Sequence, residues 1–326
     1  MPPELARRLL ARDRAAVPEA LNLVDDARPA QREAALELLD FLETQAPFPG
    51  PARIGLTGPP GAGKSTLLDA LVRALRQRGR SVAIVAVDPS SQRSGGALLG
   101  DRARVRSARA DPGVFIRSMA ARSRLGGLAD ATHASVTILA AVFDCVFIET
   151  VGVGQSEAEV ARVADSVAYV AQPGAGDVLQ YMKAGVLELP DVFVVNKSDR
   201  PDASQTAAEL ATGLSLSEPG AGGWTPPVLL ASARAGTGID AVEAELERHY
   251  RHILESGELD ARRRRAREAF VIEALTRRYG SFGLDRVGGP DAVAERLREA
   301  GQSSFALVGE LSRRIERALA APAAPR

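Results

Sequence analysis

The sequence predicts an α/β fold with a mostly parallel central sheet flanked by helices, extended by further helices at both ends. From residue 52 onward, seven short apolar runs alternate with helical stretches. Near-continuous apolar strands separated by helices are typical of a parallel sheet that is covered on both faces. The runs expected to form strands are Arg53–Thr57, Val82–Val87, Val114–Arg117, Cys145–Glu149, Val167–Ala171, Val192–Asn196 and Val228–Ala231.

Helical periodicity dominates the two ends of the chain. Residues 1–45 predict two helices, which the proline-rich segment Ala46–Pro51 brings to an end. Residues 258–279 predict a charged helix, Gly280–Pro290 a glycine-rich break, and residues 291–320 one or two more helices. We therefore divide the chain into an N-terminal helical extension (1–50), a central α/β domain (51–257) and a C-terminal helical arm (258–326) for dimerisation or partner docking.

A glycine-rich motif directly follows the first predicted strand and opens a helix. It matches G-x-x-x-x-G-K-[ST] in the strand–loop–helix context of a P-loop, so we predict a P-loop NTPase. Backbone N–H groups and the helix N-terminus are expected to face phosphates. Lys64 is expected to reach the β- and γ-phosphates, and the Ser65 hydroxyl to ligate Mg²⁺. The predicted phosphate-binding residues of the motif are Gly58, Pro59, Pro60, Gly61, Ala62, Gly63, Lys64, Ser65 and Thr66.

A second motif, Asn196-Lys197-Ser198-Asp199, ends the strand that begins at Val192. The Asp199 carboxylate can accept hydrogen bonds from guanine N1–H and from its exocyclic amine, whereas adenine N1 is itself an acceptor. The motif therefore predicts a guanine site. The triplet after the next strand is expected to offer a backbone N–H to guanine O6. The predicted guanine-binding residues are Asn196, Lys197, Asp199, Ser232, Ala233 and Arg234.

Acidic residues follow two other strands of the predicted sheet. Glu149 begins Glu-Thr-Val-Gly152 at the place where most GTPases carry D-x-x-G, and Gly152 is expected to meet the γ-phosphate. Asp88 ends the second strand beside the P-loop, at the carboxyl edge where ligands bind in open α/β sheets. Asp101 lies in the long polar loop that follows and could approach the metal when that loop closes. We count Lys64, Asp101 and Glu149 as the candidate catalytic residues.

With these motifs in order, the chain resembles the MeaB/ArgK family of methylmalonyl-CoA mutase-associated GTPases over roughly residues 5–280. The segment Glu149–Glu157, Glu-Thr-Val-Gly-Val-Gly-Gln-Ser-Glu, is the most specific part of the resemblance. Further shared segments are Val87–Asp101, Phe115–Arg117, Leu125–Gly127, Pro173–Asp177 and Leu179–Gln180.

The resemblance implies GTP hydrolysis that serves an adenosylcobalamin-dependent acyl-CoA mutase such as methylmalonyl-CoA mutase. The GTPase would chaperone cofactor loading, protection or reactivation without binding cobalamin itself. A homodimer is implied, and so is Mg²⁺ held by Ser65 with Asp88, Asp101 and Glu149 nearby. A mobile segment at about 172–183 is implied to signal to the partner through Gln172, Asp177, Gln180 and Lys183.

Some residues depart from the family pattern. Where many relatives have an acidic residue before Leu-Gln and Gly-Ile after it, this chain has Val178, Tyr181 and Met182. Three alternatives stay open: a nucleotidase linked to basic amino-acid transport, a metal-insertion GTPase for another metalloenzyme, and an adaptor that hardly turns over. Asp199 argues against ATP, and the His- or Cys-rich segments usual in metal insertion are missing.

Composition favours a protein of the cytoplasm. The 41 basic and 41 acidic residues balance, so nothing indicates binding to nucleic acid or to an anionic membrane. Cys145, the one cysteine, is expected in the core, and no apolar run is long enough to span a bilayer. We expect His249 and His252 at the surface and the run Arg262–Arg265 on a solvated or contacting helix face.

Overall fold

A computed structural model describes residues 2–26, 28–88, 111–120, 127–150, 160–174, 189–215, 221–299 and 302–320. The chain divides into two compact units. The first, here called the sheet unit, contains residues 51–121 and 143–263, and the second, the helical unit, contains residues 1–50, 122–142 and 264–326. Across the described ranges, no helix is both long enough and apolar enough to cross a membrane.

The sheet unit is built on seven parallel strands in the order β3-β2-β4-β1-β5-β6-β7. All seven apolar runs predicted from the sequence form strands, which confirms the predicted sheet. Because β1 lies between β4 and β5, its carboxyl end is the switch point at which ligands bind in such sheets. The strands are β1 (Ala52–Thr57), β2 (Val82–Asp88), β3 (Val114–Ala120), β4 (Cys145–Thr150), β5 (Ser166–Ala171), β6 (Val192–Val195) and β7 (Val228–Leu230).

Ten α-helices accompany the sheet in the described residues. Those of the sheet unit are α4, α6 and α7, together with the first residues of α8, and the others belong to the helical unit. The helices are α1 (Pro2–Leu10), α2 (Ala16–Asp25), α3 (Pro29–Gln45), α4 (Lys64–Gln77), α5 (Gly127–Ala140), α6 (Ala203–Leu214), α7 (Ile239–Glu255), α8 (Glu258–Asp285), α9 (Gly289–Glu299) and α10 (Ser304–Ala320).

The core of the sheet unit lies between the strands and their covering helices. Leu67, Leu71 and Leu75 recur at four-residue spacing on α4 and are almost fully buried with the β1 and β4 side chains. Tyr169 of β5 and Phe193 of β6 pack with α6 in a second cluster. Cys145 is buried, as expected, and burial raises the pKa of its thiol to about 12.

The helical ends differ from the sequence prediction at two places. Residues 1–45 form three helices instead of two, because Arg12 has a left-handed φ of 63° and the Asp13 carboxylate accepts the Ala15 N–H at 2.9 Å. Both features stop the first helix before α2 starts. The predicted glycine-rich break is also shorter, since α8 continues to Asp285 with one kink at Gly280, where φ is 69°.

Buried ion pairs lie at the amino edge of the sheet. Asp165 precedes β5 and Asp191 precedes β6. Arg263 of α8 donates hydrogen bonds of 2.8 and 2.7 Å to the two carboxylate oxygens of Asp165. Arg262 donates bonds of 3.0 and 2.9 Å to Asp191. Of the two placements expected for the arginine run, Arg262 and Arg263 lie on a contacting face and not on a solvated one, because the acids at the strand starts bind them.

His249 also belongs to this edge. Its side chain is fully buried, with Nδ1 2.7 Å from Ser166 Oγ and Nε2 3.1 Å from Asp191 Oδ1. The surface position expected for His249 is therefore wrong, since its ring is buried between a hydrogen bond to the Ser166 hydroxyl and the nearby Asp191 carboxylate. Burial alone would raise the pKa of Asp191, but the hydrogen bonds from His249 and Arg262 outweigh it and lower the pKa.

Candidate functional site

The loop between β1 and α4 needs glycine at two positions for steric reasons. Gly58 has a φ of 134°, and a Cβ there would lie 2.2 Å from the Val170 carbonyl oxygen. Gly63 has a φ of 91°, and a Cβ there would lie 2.4 Å from Asn196 Nδ2. The loop thus touches the carboxyl ends of β5 and β6 closely enough to exclude any side chain. This is the loop geometry that the P-loop motif predicts.

Lys64 folds back over the loop that precedes it. It is the first residue of α4 and is 6% exposed. Its ammonium donates hydrogen bonds of 2.7 Å to Gly58 O and 3.0 Å to Pro59 O. The positive charge is therefore held above the loop, at the N-terminus of a helix, where an anion is favoured.

Ser65 and Glu149 meet at the carboxyl edge. The Ser65 hydroxyl donates a 2.6 Å hydrogen bond to Glu149 Oε1, and Glu149 lies opposite Leu56 in the pairing of β1 with β4. Two further hydroxyls at these strand ends, those of Thr57 and Thr150, are buried and have no hydrogen-bond partner within the described ranges. Buried polar groups rarely stay unsatisfied, so this region suits a polar ligand.

Asn196 joins three segments of the sheet unit. Its Nδ2 donates to Ala62 O of the P-loop at 2.9 Å, and its Oδ1 accepts the Ala233 N–H at 3.1 Å. The side chain is 2% exposed. The predicted guanine motif therefore holds the P-loop and the residues after β7 together. In this arrangement the Ala233 N–H is already engaged within the protein.

Lys197 lies across the P-loop in a strained backbone conformation. Its φ of 60° is uncommon for a residue with a long side chain. Its ammonium donates hydrogen bonds of 2.6 Å to Gly61 O and 2.8 Å to Gln172 Oε1. Burial, then the charge of Arg200, lowers the pKa of Lys197. We expected Gln172 only in partner signalling, and the structure shows it in contact with the guanine motif.

Asp199 presents a carboxylate that stays ionised. The Ser232 hydroxyl donates a 2.6 Å hydrogen bond to its Oδ1, and this bond is the largest cause of a lowered pKa at Asp199. We had expected Ser232 to act through its backbone, so its side-chain role was not predicted. Arg234, four residues after the end of β7, contributes to the same lowering through its charge.

Several candidate residues lie outside the described residues. They are Asp101, Gly152, Asp177, Val178, Gln180, Tyr181, Met182 and Lys183. Asp88 is placed only as the last residue of β2, and nothing is described of its side chain. The described candidates from the P-loop, Glu149, the Asn196–Asp199 motif and the Ser232–Arg234 triplet all lie around the carboxyl ends of β1, β4, β6 and β7.

Comparisons with known proteins agree with this geometry. A protein-family model described as methylmalonyl-CoA mutase-associated GTPase MeaB matches residues 17–279. A putative GTPase from Pyrococcus horikoshii is 44% identical over 265 residues, which are 80% of this chain and 81% of that protein. The mitochondrial methylmalonic aciduria type A homolog of Mus musculus is 36% identical over 267 residues, covering 78% of this chain and 64% of that protein.

A solved structure shares the fold along nearly the whole chain. The crystal structure of a LAO/AO transport system kinase superposes with a TM-score of 0.68 at 26% sequence identity. The match covers 97% of each chain. It confirms the predicted P-loop NTPase fold, a parallel sheet with flanking helices.

Proposed function

The chain belongs to the family of methylmalonyl-CoA mutase-associated GTPases, MeaB, and we propose that its GTP hydrolysis serves cofactor loading, protection or reactivation in an adenosylcobalamin-dependent acyl-CoA mutase. The membership confirms the family resemblance predicted from the motifs. Relatives named as GTPases, together with the P-loop NTPase fold, establish that the chain is a GTPase that binds guanine nucleotides. The match over residues 17–279 is the observation that carries the mutase proposal.

The proposed reaction is in-line attack of water on the γ-phosphorus, with charge developing on the phosphoryl oxygens. Lys64 and the P-loop amides would donate hydrogen bonds to that charge, and preorganised donors of this kind are usually the largest single source of transition-state stabilisation. Lys64 would exchange the Gly58 and Pro59 carbonyls for phosphate oxygens. Asp199 would select guanine, because its ionised carboxylate can accept both N1–H and the exocyclic amine.

The residues present fit Mg²⁺, which prefers oxygen ligands and binds through few protein groups plus phosphates. Ser65 Oγ and Glu149 Oε1 lie 2.6 Å apart beside the P-loop, at strand ends that also carry unsatisfied hydroxyls. We propose these two residues, with Asp88 and Asp101, as the metal site. A bound Mg²⁺ would supply charge neutralisation at the phosphoryl oxygens.

The signal to the mutase is proposed to pass through residues 172–183. Gln172 is the described member of the candidate signalling set, and its contact with Lys197 connects the start of this segment to the guanine motif. Assembly as a homodimer through the helical ends, and the division into segments 1–50, 51–257 and 258–326, belong to the same proposal. Cobalamin itself is proposed to bind the mutase and not this chain.

The decisive assay is steady-state hydrolysis of GTP and ATP, each with and without an adenosylcobalamin-dependent mutase from the same source. We expect GTP to be preferred and its turnover to rise severalfold or more with the mutase, since groups supplied by a partner are worth roughly 10³–10⁵ in other GTPases. GTP turnover that is indifferent to every such mutase would remove the proposed partner. A preference for ATP would contradict the role given to Asp199.

Substitution of Lys183 tests the signalling segment. Lys183→Ala is expected to abolish the stimulation by the mutase and to leave basal turnover nearly unchanged. Arg73→Ala, an exposed position of α4, is a control that should retain the stimulation. Equal stimulation of the Lys183 variant and the unmodified protein would rule out this route.

Two alternative functions are separable by experiment. The structural neighbour is named as a transport system kinase, so competition between GTP and ATP for the site should be measured directly. A metal-insertion role would need a site for the delivered metal. In the described ranges, no group of three or more His, Cys, Asp or Glu side chains is arranged to hold one.

A further inference from the structure

A polar cleft of about 500 Å³ opens at the amino edge of the sheet, away from the P-loop. The turn that precedes β7 forms one side, and the last turns of α7 form the other. Its volume is within the range of small-molecule sites, about 300–1,000 Å³. The side chains that line it include Trp224, Thr225, Arg248, Arg251, His252 and Glu255.

Two side chains from the two sides of the cleft, Trp224 and Arg248, are fixed in place. Trp224 is 5% exposed, and its Nε1 donates a 2.8 Å hydrogen bond to the Asp191 carbonyl oxygen. The Arg248 guanidinium lies 4.3 Å from the Trp224 ring centre, and its Nη2 lies 2.6 Å from Glu245 Oε2. Because the Trp224 ring and the Arg248 guanidinium restrain each other, neither side chain needs to rearrange when a ligand binds in the cleft.

Two further side chains of α7 line the cleft and carry groups that a ligand can bind. Arg251 is exposed, and it has no ion pair or hydrogen bond from its guanidinium in the part of the chain that the structure describes. His252 Nε2 is buried and has no hydrogen-bond partner among the residues that the structure describes. A buried nitrogen without a partner is uncommon in native proteins and needs a reason. An acceptor that enters the cleft would pair with the Arg251 guanidinium, and a turn of the His252 ring would bring Nε2 to the same acceptor.

We infer that this cleft binds a small molecule carrying an oxyanion, a carboxylate or a phosphate. Guanidinium groups bind both oxyanions through paired hydrogen bonds, and the His252 tautomer that is protonated at Nε2 would add a third donor. Glu255, at the same cleft, opposes an anion and keeps its binding weak. The site goes beyond the proposed function, because it uses none of the nucleotide-binding residues.

The chain contains its own reporter for this site. Trp224 is the one tryptophan of the sequence, so intrinsic indole fluorescence reports on the cleft wall alone. The full-length protein, saturated with GDP, would be titrated with inorganic phosphate and separately with citrate, with chloride at equal ionic strength as the reference. We expect a saturable change in Trp224 emission with at least one of the two oxyanions and none with chloride.

Three single substitutions make the test specific to the cleft. Arg251→Gln should weaken oxyanion binding about tenfold, because it removes a charge-assisted donor. Glu255→Gln should tighten binding about twofold, because it removes a nearby like charge at an exposed position. Arg73→Gln makes the same charge change as Arg251→Gln on another exposed helix position and should leave binding unchanged.

Opposite effects of the Arg251 and Glu255 substitutions would support an oxyanion site. A response to phosphate alone would assign phosphate ligands, and a response to citrate alone would assign carboxylates. The inference would be overturned by an emission change that chloride reproduces, or by equal affinities in all three variants. Loss of the response in Lys64→Ala would also overturn it, because the signal would then originate at the P-loop.

Discussion

The two edges of the central sheet are built in opposite ways. At the amino edge, Asp165 and Asp191 are bound by the guanidinium groups of Arg263 and Arg262 in two-point ion pairs. At the carboxyl edge, the ammonium groups of Lys64 and Lys197 donate to backbone carbonyls. The amino edge therefore binds its acids with guanidinium groups, whereas the carboxyl edge offers backbone carbonyls to its lysines.

The difference shows which edge can change partners. A buried charge that loses its ionic partner is strongly destabilising, so the ion pairs of the amino edge cannot be exchanged for other contacts without a large loss of stability. A lysine that leaves a carbonyl for a phosphate exchanges a neutral acceptor for a charged one, and charge-assisted hydrogen bonds are roughly twice as strong. The carboxyl edge can thus receive a nucleotide at little cost, while the amino edge keeps the strands in register.

The largest expected effect is a loss of stability when the Asp191 carboxylate is removed from the amino edge. Asp191→Ala removes the acceptor of Arg262 and of the Val167 N–H, which donates to Asp191 Oδ2 at 2.8 Å. It also removes the carboxylate oxygen that lies 3.1 Å from His249 Nε2. We expect the free energy of unfolding to fall by roughly 3–5 kcal/mol, as for other broken buried ion pairs. Denaturant-induced unfolding followed by circular dichroism measures it. The affinity of the folded variant for GDP should not change.

Two controls sharpen this prediction. Asp240→Ala removes an exposed partner of Arg78 in the same unit and should have no measurable effect on stability. The double variant Asp191→Ala/Arg262→Ala should lose less stability than the sum of the two single variants, because the uncompensated charge is gone. Additive losses would show that Asp191 and Arg262 do not act as a pair.

The same carboxylate predicts a pH dependence. The pKa of Asp191 is lowered in the folded protein, against an unfolded value of about 3.9. Its contribution to stability is therefore complete above the unfolded pKa and is lost as the pH falls through the folded pKa. Unfolding midpoints of the unmodified protein and of Asp191→Ala should accordingly differ at neutral pH and converge in acid below about pH 4.

The second expected effect is a change of base specificity at the carboxyl edge. Asp199→Asn places an amide N–H₂ against the exocyclic amine of guanine, so two donors face each other. We expect kcat/KM for GTP to fall roughly 10- to 100-fold, the cost of one charge-assisted bond lost. Xanthosine triphosphate, which has a carbonyl at that position, should become the better substrate. Asp202→Asn, an exposed neighbour, should change neither value.

The elements that the sequence predicted correctly are those with local signals. Seven apolar runs, and a glycine-rich loop with Lys64 and Ser65 in register, each carry their pattern within a few residues. The placement of Cys145 follows from the apolar run around it. Because these signals are local, they predict the sheet and the residues around its carboxyl edge.

The contacts that were missed join residues far apart in the chain. His249 and Arg262 look like surface residues of charged helices until Asp191, more than fifty positions earlier, is placed beside them. The sequence does place an acidic residue just before each of two buried strands, which indicates a buried carboxylate. It does not indicate which basic residue binds that carboxylate. The contact of Gln172 with Lys197 likewise depends on the order of β5 and β6 in the sheet.

The smallest expected effect tests whether that missed contact belongs to the nucleotide site. Gln172→Ala removes one of the two acceptors of the Lys197 ammonium and leaves Gly61 O as the other. We expect the dissociation constants of GTP and GDP to rise about fivefold, which corresponds to about 1 kcal/mol, because the lost hydrogen bond acts on the nucleotide only through Lys197; kcat should be nearly unchanged. Equilibrium binding and a KM-against-kcat comparison measure this, with Gln205→Ala on the exposed face of α6 as the control.

A fall in kcat equal to the fall in kcat/KM would place Gln172 in the chemistry of hydrolysis instead of in binding. A lower unfolding midpoint with unchanged dissociation constants would make the contact structural, like those of the amino edge. If the contacts of the carboxyl edge can be exchanged for contacts with a nucleotide, Gln172→Ala should weaken nucleotide binding and leave the unfolding midpoint unchanged. Because Asp191→Ala should give the reverse pattern, the two variants together test whether the two edges are separable.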